Sequence, residues 1–203
     1  MSAVVYDKWR ADYPSLSTKE HAAFYDDKYT KDPNHASFSG RAVRYFFNQA
    51  NCLSYSVAEI GGRNGSLAKV ALEFTPAIKR WVNYEISGAA VAGTLTQDSR
   101  YEAKLMTDFC WWMKEPIEGD LLILSHIIEH ISDSDFKSLV AVIPKNIRGV
   151  HVQSPLAMRG PIDWTGNKGC HILTMGWVEV DQEFVVNGFK SITAYDGASW
   201  VRR

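Results

Sequence analysis

The chain has 203 residues and a mass of 22.8 kDa, with 46% hydrophobic and 22% charged residues. That balance excludes a disordered chain, and a domain of this length buries roughly 70% of the surface its unfolded form exposes, so it needs no disulfide or metal to fold. The 22 Lys and Arg against 23 Asp and Glu leave a net charge of -1, which argues against a protein built mainly to grip a nucleic-acid backbone.

Residues 1–50 read as an aromatic-rich helical cap, with Tyr6, Trp9, Tyr13, Phe24, Tyr25, Tyr29, Phe38 and Tyr45 to Phe47, broken by Pro14 and the Asp32-Pro33-Asn34 turn. Helices are predicted over about 18–29 and 39–50, the second capped by Ser37 or Ser39. Charges at Asp7, Lys8, Arg10 and Asp12 leave no signal-peptide core, and no apolar run approaches the roughly 18 residues of a membrane span. Cys52, Cys110 and Cys170 are scattered, with no C-x-x-C, and read as reduced thiols of a cytoplasmic protein away from membranes.

From residue 51 to 203 the pattern becomes that of a second unit in which strands alternate with helices. Strands are predicted at 56–60, 80–85, 104–107, 121–124 and 148–153, helices at 66–74, 87–95, 134–142 and 175–187, the last closed by Gly188. Leu121 to Leu124 is the continuous apolar run of a strand buried on both faces. Ser191 to Tyr195, Asp196-Gly197 and Ser199 to Arg203 read as a final hairpin, because Asp-Gly suits a type I′ turn. The expectation is a mostly parallel sheet covered on both faces, with ligands bound beyond the carboxyl ends of its strands.

Acidic residues and glycines stand at those ends. Glu59-Ile60-Gly61-Gly62-Arg63-Asn64-Gly65 follows the first strand. Gly61 permits a tight turn, and Gly65 opens a helix whose free N–H groups favour an anion. Arg63 occupies the second glycine of a dinucleotide fingerprint, which argues against nicotinamide or flavin. The carboxylate before the turn suits a ligand carrying a cationic amine. Glu85, after the second strand, is placed to accept from ribose hydroxyls. Asp108 can accept from an adenine amino group while the Phe109 ring covers the base. Ser125, His126, Glu129 and His130 follow the fourth strand.

Together these residues resemble the class I (Rossmann-like) S-adenosylmethionine-dependent methyltransferases. The E-I-G-G-R-N-G segment is similar to that family's first motif, and Gly119 to His130, ending S-H-I-I-E-H, to its fourth. Gly169 to Ile172 and Asn187-Gly188-Phe189 resemble its late segments. The resemblance covers about 52–203 and implies an α/β/α sandwich whose seven-stranded, mostly parallel sheet has an antiparallel last strand. It implies S-adenosylmethionine as cofactor, held by Glu59, Gly61, Gly65, Glu85, Ile86, Asp108, Phe109, Ser125 and His126, with His126 as a base or cofactor-side contact. By the same resemblance residues 1–50 form a lid to which Tyr25, Tyr29 and His35 contribute, and Trp164 and His171 lie on the acceptor side. Trp111 and Trp112 are either core or acceptor wall. The acceptor is expected to be a small molecule methylated on oxygen or nitrogen, with a nucleic-acid or protein acceptor left open.

Two other function classes remain. One is a catalytically silent cofactor-binding partner. The other is a metal hydrolase, because His126-x-x-Glu129-His130 is also a zinc-peptidase pattern when it lies within a helix. Here the motif starts at a strand end, and His126 stands where the related E-x-x-E-H metal cluster has its first glutamate, so no metal is expected.

Overall fold

The computed structural model describes Trp9 and residues 11–31, 46–47, 54–154, 172–194 and 197–203. Helix α1 spans Thr18–Lys31, α2 Ser66–Phe74, α3 Gly88–Ala92, α4 Asp133–Val142 and α5 Trp177–Val186. Strands β1 (Tyr55–Ile60), β2 (Ile78–Glu85), β3 (Tyr101–Leu105), β4 (Leu121–Ser125), β5 (Gly149–Gln153), β6 (Phe189–Ala194) and β7 (Gly197–Arg202) form one sheet in the order β3-β2-β1-β4-β5-β7-β6. Pairings from β3 through to β5 are parallel, while β7 runs antiparallel to both β5 and β6. Among the described residues, no helix is long and apolar enough to cross a membrane.

The period-two alternation of the strands divides the core. Ala58, Ile60, Leu122 and Leu124 point to the face covered by Phe136 and Leu139 of α4 and Val180 and Phe184 of α5. Val57, Leu121 and Ile123 point to the opposite face, against Leu67, Ala68, Ala71 and Leu72 of α2 and against Phe46. Each fully buried aliphatic side chain contributes about 1.5–3 kcal/mol. Helices start where short polar side chains satisfy free N–H groups: Ser87 Oγ accepts from Ala90 N at 3.1 Å, and Ser132 Oγ from Asp135 N at 3.1 Å.

Element boundaries depart from expectation in instructive places. The third strand is Tyr101–Leu105 and not 104–107. Among the described residues it is an edge strand paired only with β2, in the register Trp81↔Tyr101 to Glu85↔Leu105, so no two-sided apolar run marks it. Helix α3 stops at Ala92 because Gly93 takes the C-cap. Gly188 follows the C-cap Asn187 with φ 88°. The helix expected at 39–50 lies outside the described residues except for Phe46 and Phe47, which are helical.

Candidate functional site

The chain order reverses between β1 and β4: from β1 it proceeds to β2 and β3, then returns to β1's other side. The crevice beyond these two strands is where open α/β sheets bind ligands. Gly61 and Gly65 have φ of 77° and 72°, and Arg63, between them, 52°. A Cβ at Gly61 would stand 2.8 Å from the Ser125 carbonyl oxygen, and one at Gly65 would stand 2.6 Å from the Tyr101 hydroxyl. The loop therefore needs glycine for both conformation and space.

Glu59 braces this loop from below. Fully buried, it accepts from Trp81 Nε1 and Ser125 Oγ, each at 2.9 Å. Burial pushes its carboxyl up to about 7, against the hydrogen bonds from Ser125 and Trp81, with the Glu85 charge pushing the same way as burial. A Cβ at Gly62 would come within 2.4 Å of this carboxylate. Asn83 completes the support: its Oδ1 accepts from Gly62 N at 3.1 Å, and its Nδ2 donates to the Arg63 carbonyl at 2.9 Å.

Glu85 ends β2 facing the same loop. Its Oε1 accepts from Ile86 N at 2.9 Å and Ser87 N at 3.0 Å, and its Oε2 from Arg63 N at 3.0 Å. Burial raises its pKa despite those three backbone donors. Asp108 is partly exposed and pairs with Lys114, whose hydrogen bond lowers its pKa.

Helix α1 and the turn before it lie across these strand ends. Asp26 accepts from Ser87 Oγ and from Ala89 N at 3.0 Å, Thr18 Oγ1 accepts from Phe109 N at 3.1 Å, and the Tyr13 hydroxyl donates to Asp135 at 3.2 Å. Trp9, Tyr13 and Tyr25 form a buried cluster against which Ile86 and Phe109 pack. His21 stacks on Phe109, with ring centres 3.9 Å apart. Burial holds His21 at about 4, so it is neutral, against the raising effect of Asp135 and Glu20.

After β4 the backbone turns sharply through His126, with φ 50° and its N–H donated to the Gln153 carbonyl at 2.8 Å. Ile128–His130 form one short 3-10 turn. Glu129, 1% exposed, has Oε1 3.2 Å from His126 Nδ1 and 3.9 Å from His130 Nε2, while Ser154 Oγ donates to its Oε2 at 2.8 Å. Burial alone would raise this carboxyl, but the His126 hydrogen bond and the charges of His130 and His126 outweigh it and hold it at about 2. Tyr25 approaches His130 edge-on at 5.9 Å. The long helix that the hydrolase reading requires is not formed here. Among the described residues, no three His, Cys, Asp or Glu are placed to hold a metal ion.

The structure thus brings Glu59, Gly61, Gly65, Glu85, Ser125 and His126 to one crevice, and Ile86, Phe109 and Tyr25 to its aromatic border. Tyr29 lies within α1, but its side chain is outside the described residues, as are His35, Trp164 and His171. Trp111 and Trp112 belong to the core beneath α4. Sequence reasoning missed Asn83, although a polar residue inside the apolar run Trp81 to Tyr84 was a usable signal. It also missed Asp26 and Ser154, whose partners are distant in sequence and which no local pattern marks.

No known family model matches the chain, and no curated protein does. Solved structures do. Human N-acetylserotonin methyltransferase, in complex with S-adenosylmethionine, aligns with TM-score 0.58 and 18% identity over 80% of this chain and 51% of its own. CalO1, a methyltransferase in calicheamicin biosynthesis, gives 0.57 and 15% over 95% of this chain and 60% of its own. DhpI, bound to S-adenosylhomocysteine, gives 0.55 and 12% over 97% and 94%. The chain spans about half to three-fifths of the length of the first two. With the strand order, the antiparallel β7 and the glycine turn after β1, these similarities establish that the chain has the class I methyltransferase fold.

Proposed function

We propose that the chain transfers a methyl group from S-adenosylmethionine to oxygen or nitrogen of a small-molecule acceptor. The observation that carries this reading is the buried Glu85 at the end of β2, facing a loop whose glycines leave no room for a Cβ. The residues present fit the cofactor. Glu85 Oε2 accepts one hydrogen bond among the described contacts and has capacity for a ribose hydroxyl, while Gly61 and Gly65 give the backbone close approach. Glu59 holds the loop from beneath, and Ile86 and Phe109 supply apolar surface for a flat base. Bound there, the cofactor supplies a methyl carbon on positively charged sulfur, a leaving group that needs no activation. The protein's task is then positioning and exclusion of water. The strap formed by α1 and its aromatic cluster suits the second, and we assign His126, in the turn after β4, as a base or cofactor-side contact.

Titration calorimetry with S-adenosylhomocysteine tests the reading. Glu85→Ala is expected to weaken binding at least tenfold, the value of one or two hydrogen bonds to a charged acceptor. Equal affinity refutes the assignment of Glu85. Binding without product formed from any small-molecule pool would leave a cofactor-binding partner protein in place of an enzyme.

A further inference from the structure

We propose that α1, as it lies across the strand ends, shuts the base end of the crevice: the His21 ring takes the place of an adenine on Phe109, and the cofactor enters only when α1 lifts. The proposal rests on the methyltransferase reading above and deepens it by naming what controls access to that site.

The surfaces suited to a flat base are engaged by α1 and the turn before it. The His21 imidazole lies on the Phe109 ring with centres 3.9 Å apart and planes 8° from parallel, the arrangement of a stacked base. Burial keeps this ring uncharged, so it presents a flat neutral heterocycle. The Phe109 N–H, which a ring nitrogen of the base would accept, is donated instead to Thr18 Oγ1 at 3.1 Å. Ile86, beyond β2, packs against the cluster of Trp9, Tyr13 and Tyr25. Asp26 fastens the helix by accepting from Ser87 Oγ and from Ala89 N at 3.0 Å. A cover built only to close over a bound cofactor would leave the Phe109 ring and N–H to the base. Here α1 takes both.

The closure is lightly held. Of the side chains described in α1, only His21 and Tyr25 are buried, so little apolar area keeps the helix down. Trp9 Nε1 and His21 Nδ1 are buried with no hydrogen-bond partner among the described residues. Each such group burdens the docked state, and water relieves it once α1 lifts. A base that offers Phe109 the same stacking, and an acceptor for its N–H, displaces a strap held in this way. The strap then closes over the seated base. While the docked form predominates, apparent affinity is reduced by the fraction of the chain that is open.

Calorimetry on the full chain tests this, with S-adenosylhomocysteine and, separately, adenosine as probes. His21→Ala should tighten both by about tenfold, the gain when an open fraction of about one-tenth rises towards one. Thr18→Val keeps the shape of the side chain and frees the Phe109 N–H, and should tighten both by about threefold. Adenosine carries the base without the amino-acid part, so an equal gain with both probes places the competition at the base. Hydrogen exchange of α1 amides should quicken in His21→Ala while β1 and β4 stay protected. Unchanged or weaker S-adenosylhomocysteine binding by His21→Ala, with β1 and β4 still protected, overturns the proposal, because α1 would then hold the cofactor and not exclude it. A gain with S-adenosylhomocysteine and none with adenosine overturns it too. Should His21→Ala lose the fold, Thr18→Val decides: tighter binding upholds the proposal, and unchanged or weaker binding defeats it. If neither the wild type nor either variant binds S-adenosylhomocysteine, the methyltransferase reading itself fails, whereas binding by a variant alone upholds both.

Discussion

Two buried carboxylates stand at the ends of neighbouring parallel strands and behave in opposite ways. Glu59, at the end of β1, is held by neutral donors, Trp81 and Ser125, and burial carries it up to about 7. Glu129, in the turn after β4, is as deeply buried, yet His126 and His130 hold it at about 2. Depth of burial is the same in both. The difference lies in whether the partners can carry positive charge. Glu59 is suited to bracing a loop, and Glu129 to pairing with histidines that can carry charge.

The contrast can be broken or sharpened by substitution. The largest effect is expected for Glu129→Ala, which leaves Ser154 Oγ and His126 Nδ1 without their acceptor and should cost about 3 kcal/mol in urea unfolding at neutral pH. A cost below about 1 kcal/mol would mean the carboxylate is not balancing charge. Next comes Gly62→Ala, whose new Cβ would meet the Glu59 carboxyl at 2.4 Å and Asn83 Oδ1 at 2.7 Å. Overpacking of this kind should cost about 2–3 kcal/mol, and an unaffected melting temperature would show that the brace is loose.

The pH dependence of stability separates the two acids further. The folded-state pKa of Glu129 lies below its ordinary 4.5, so its contribution is complete above about 4.5 and is lost as pH falls towards about 2. For Glu59 the sign reverses. The folded chain holds the proton between 4.5 and about 7, so stability declines as pH rises through that window. Glu59→Gln should abolish the decline while changing stability at pH 5 by less than about 1 kcal/mol. Thermal melts from pH 2 to 8 read both limbs, and a Glu59→Gln profile parallel to wild type would show that Glu59 does not titrate there.

Much of the architecture was legible from chemistry that is local. Leu121 to Leu124 has the continuous apolar run of a strand covered on both faces, and Ser87 stands where a helix needs a cap, whereas the fourth helix begins one residue before the expected 134 because Ser132 caps it. β3 was misplaced because this edge strand mixes half-buried Tyr101, Ala103 and Lys104 with exposed Glu102 and Leu105, leaving a weak pattern. Within the site, Gly61, Gly65 and Glu85 could be read from their place after strands. The necessity of Gly62 could not, since it arises from a glutamate folded back beneath the turn. Nor could the Asp26 contact with Ser87, which joins elements that are adjacent only once the chain has folded.

Among the described residues, only Arg63 and His126 lack a glycine's freedom yet take left-handed backbone, and they border the same crevice. A side chain in that conformation costs about 1–2 kcal/mol. Arg63→Gly relieves that strain but adds a glycine's freedom to the unfolded chain and is expected to change the unfolding free energy by less than about 1 kcal/mol, whereas the same change at His126 would strip the buried Glu129 of a partner. At Arg63 the strained backbone is the one that aims its N–H at Glu85 Oε2, 3.0 Å away, so heat tolerance and the shape of this loop should be found to trade against each other.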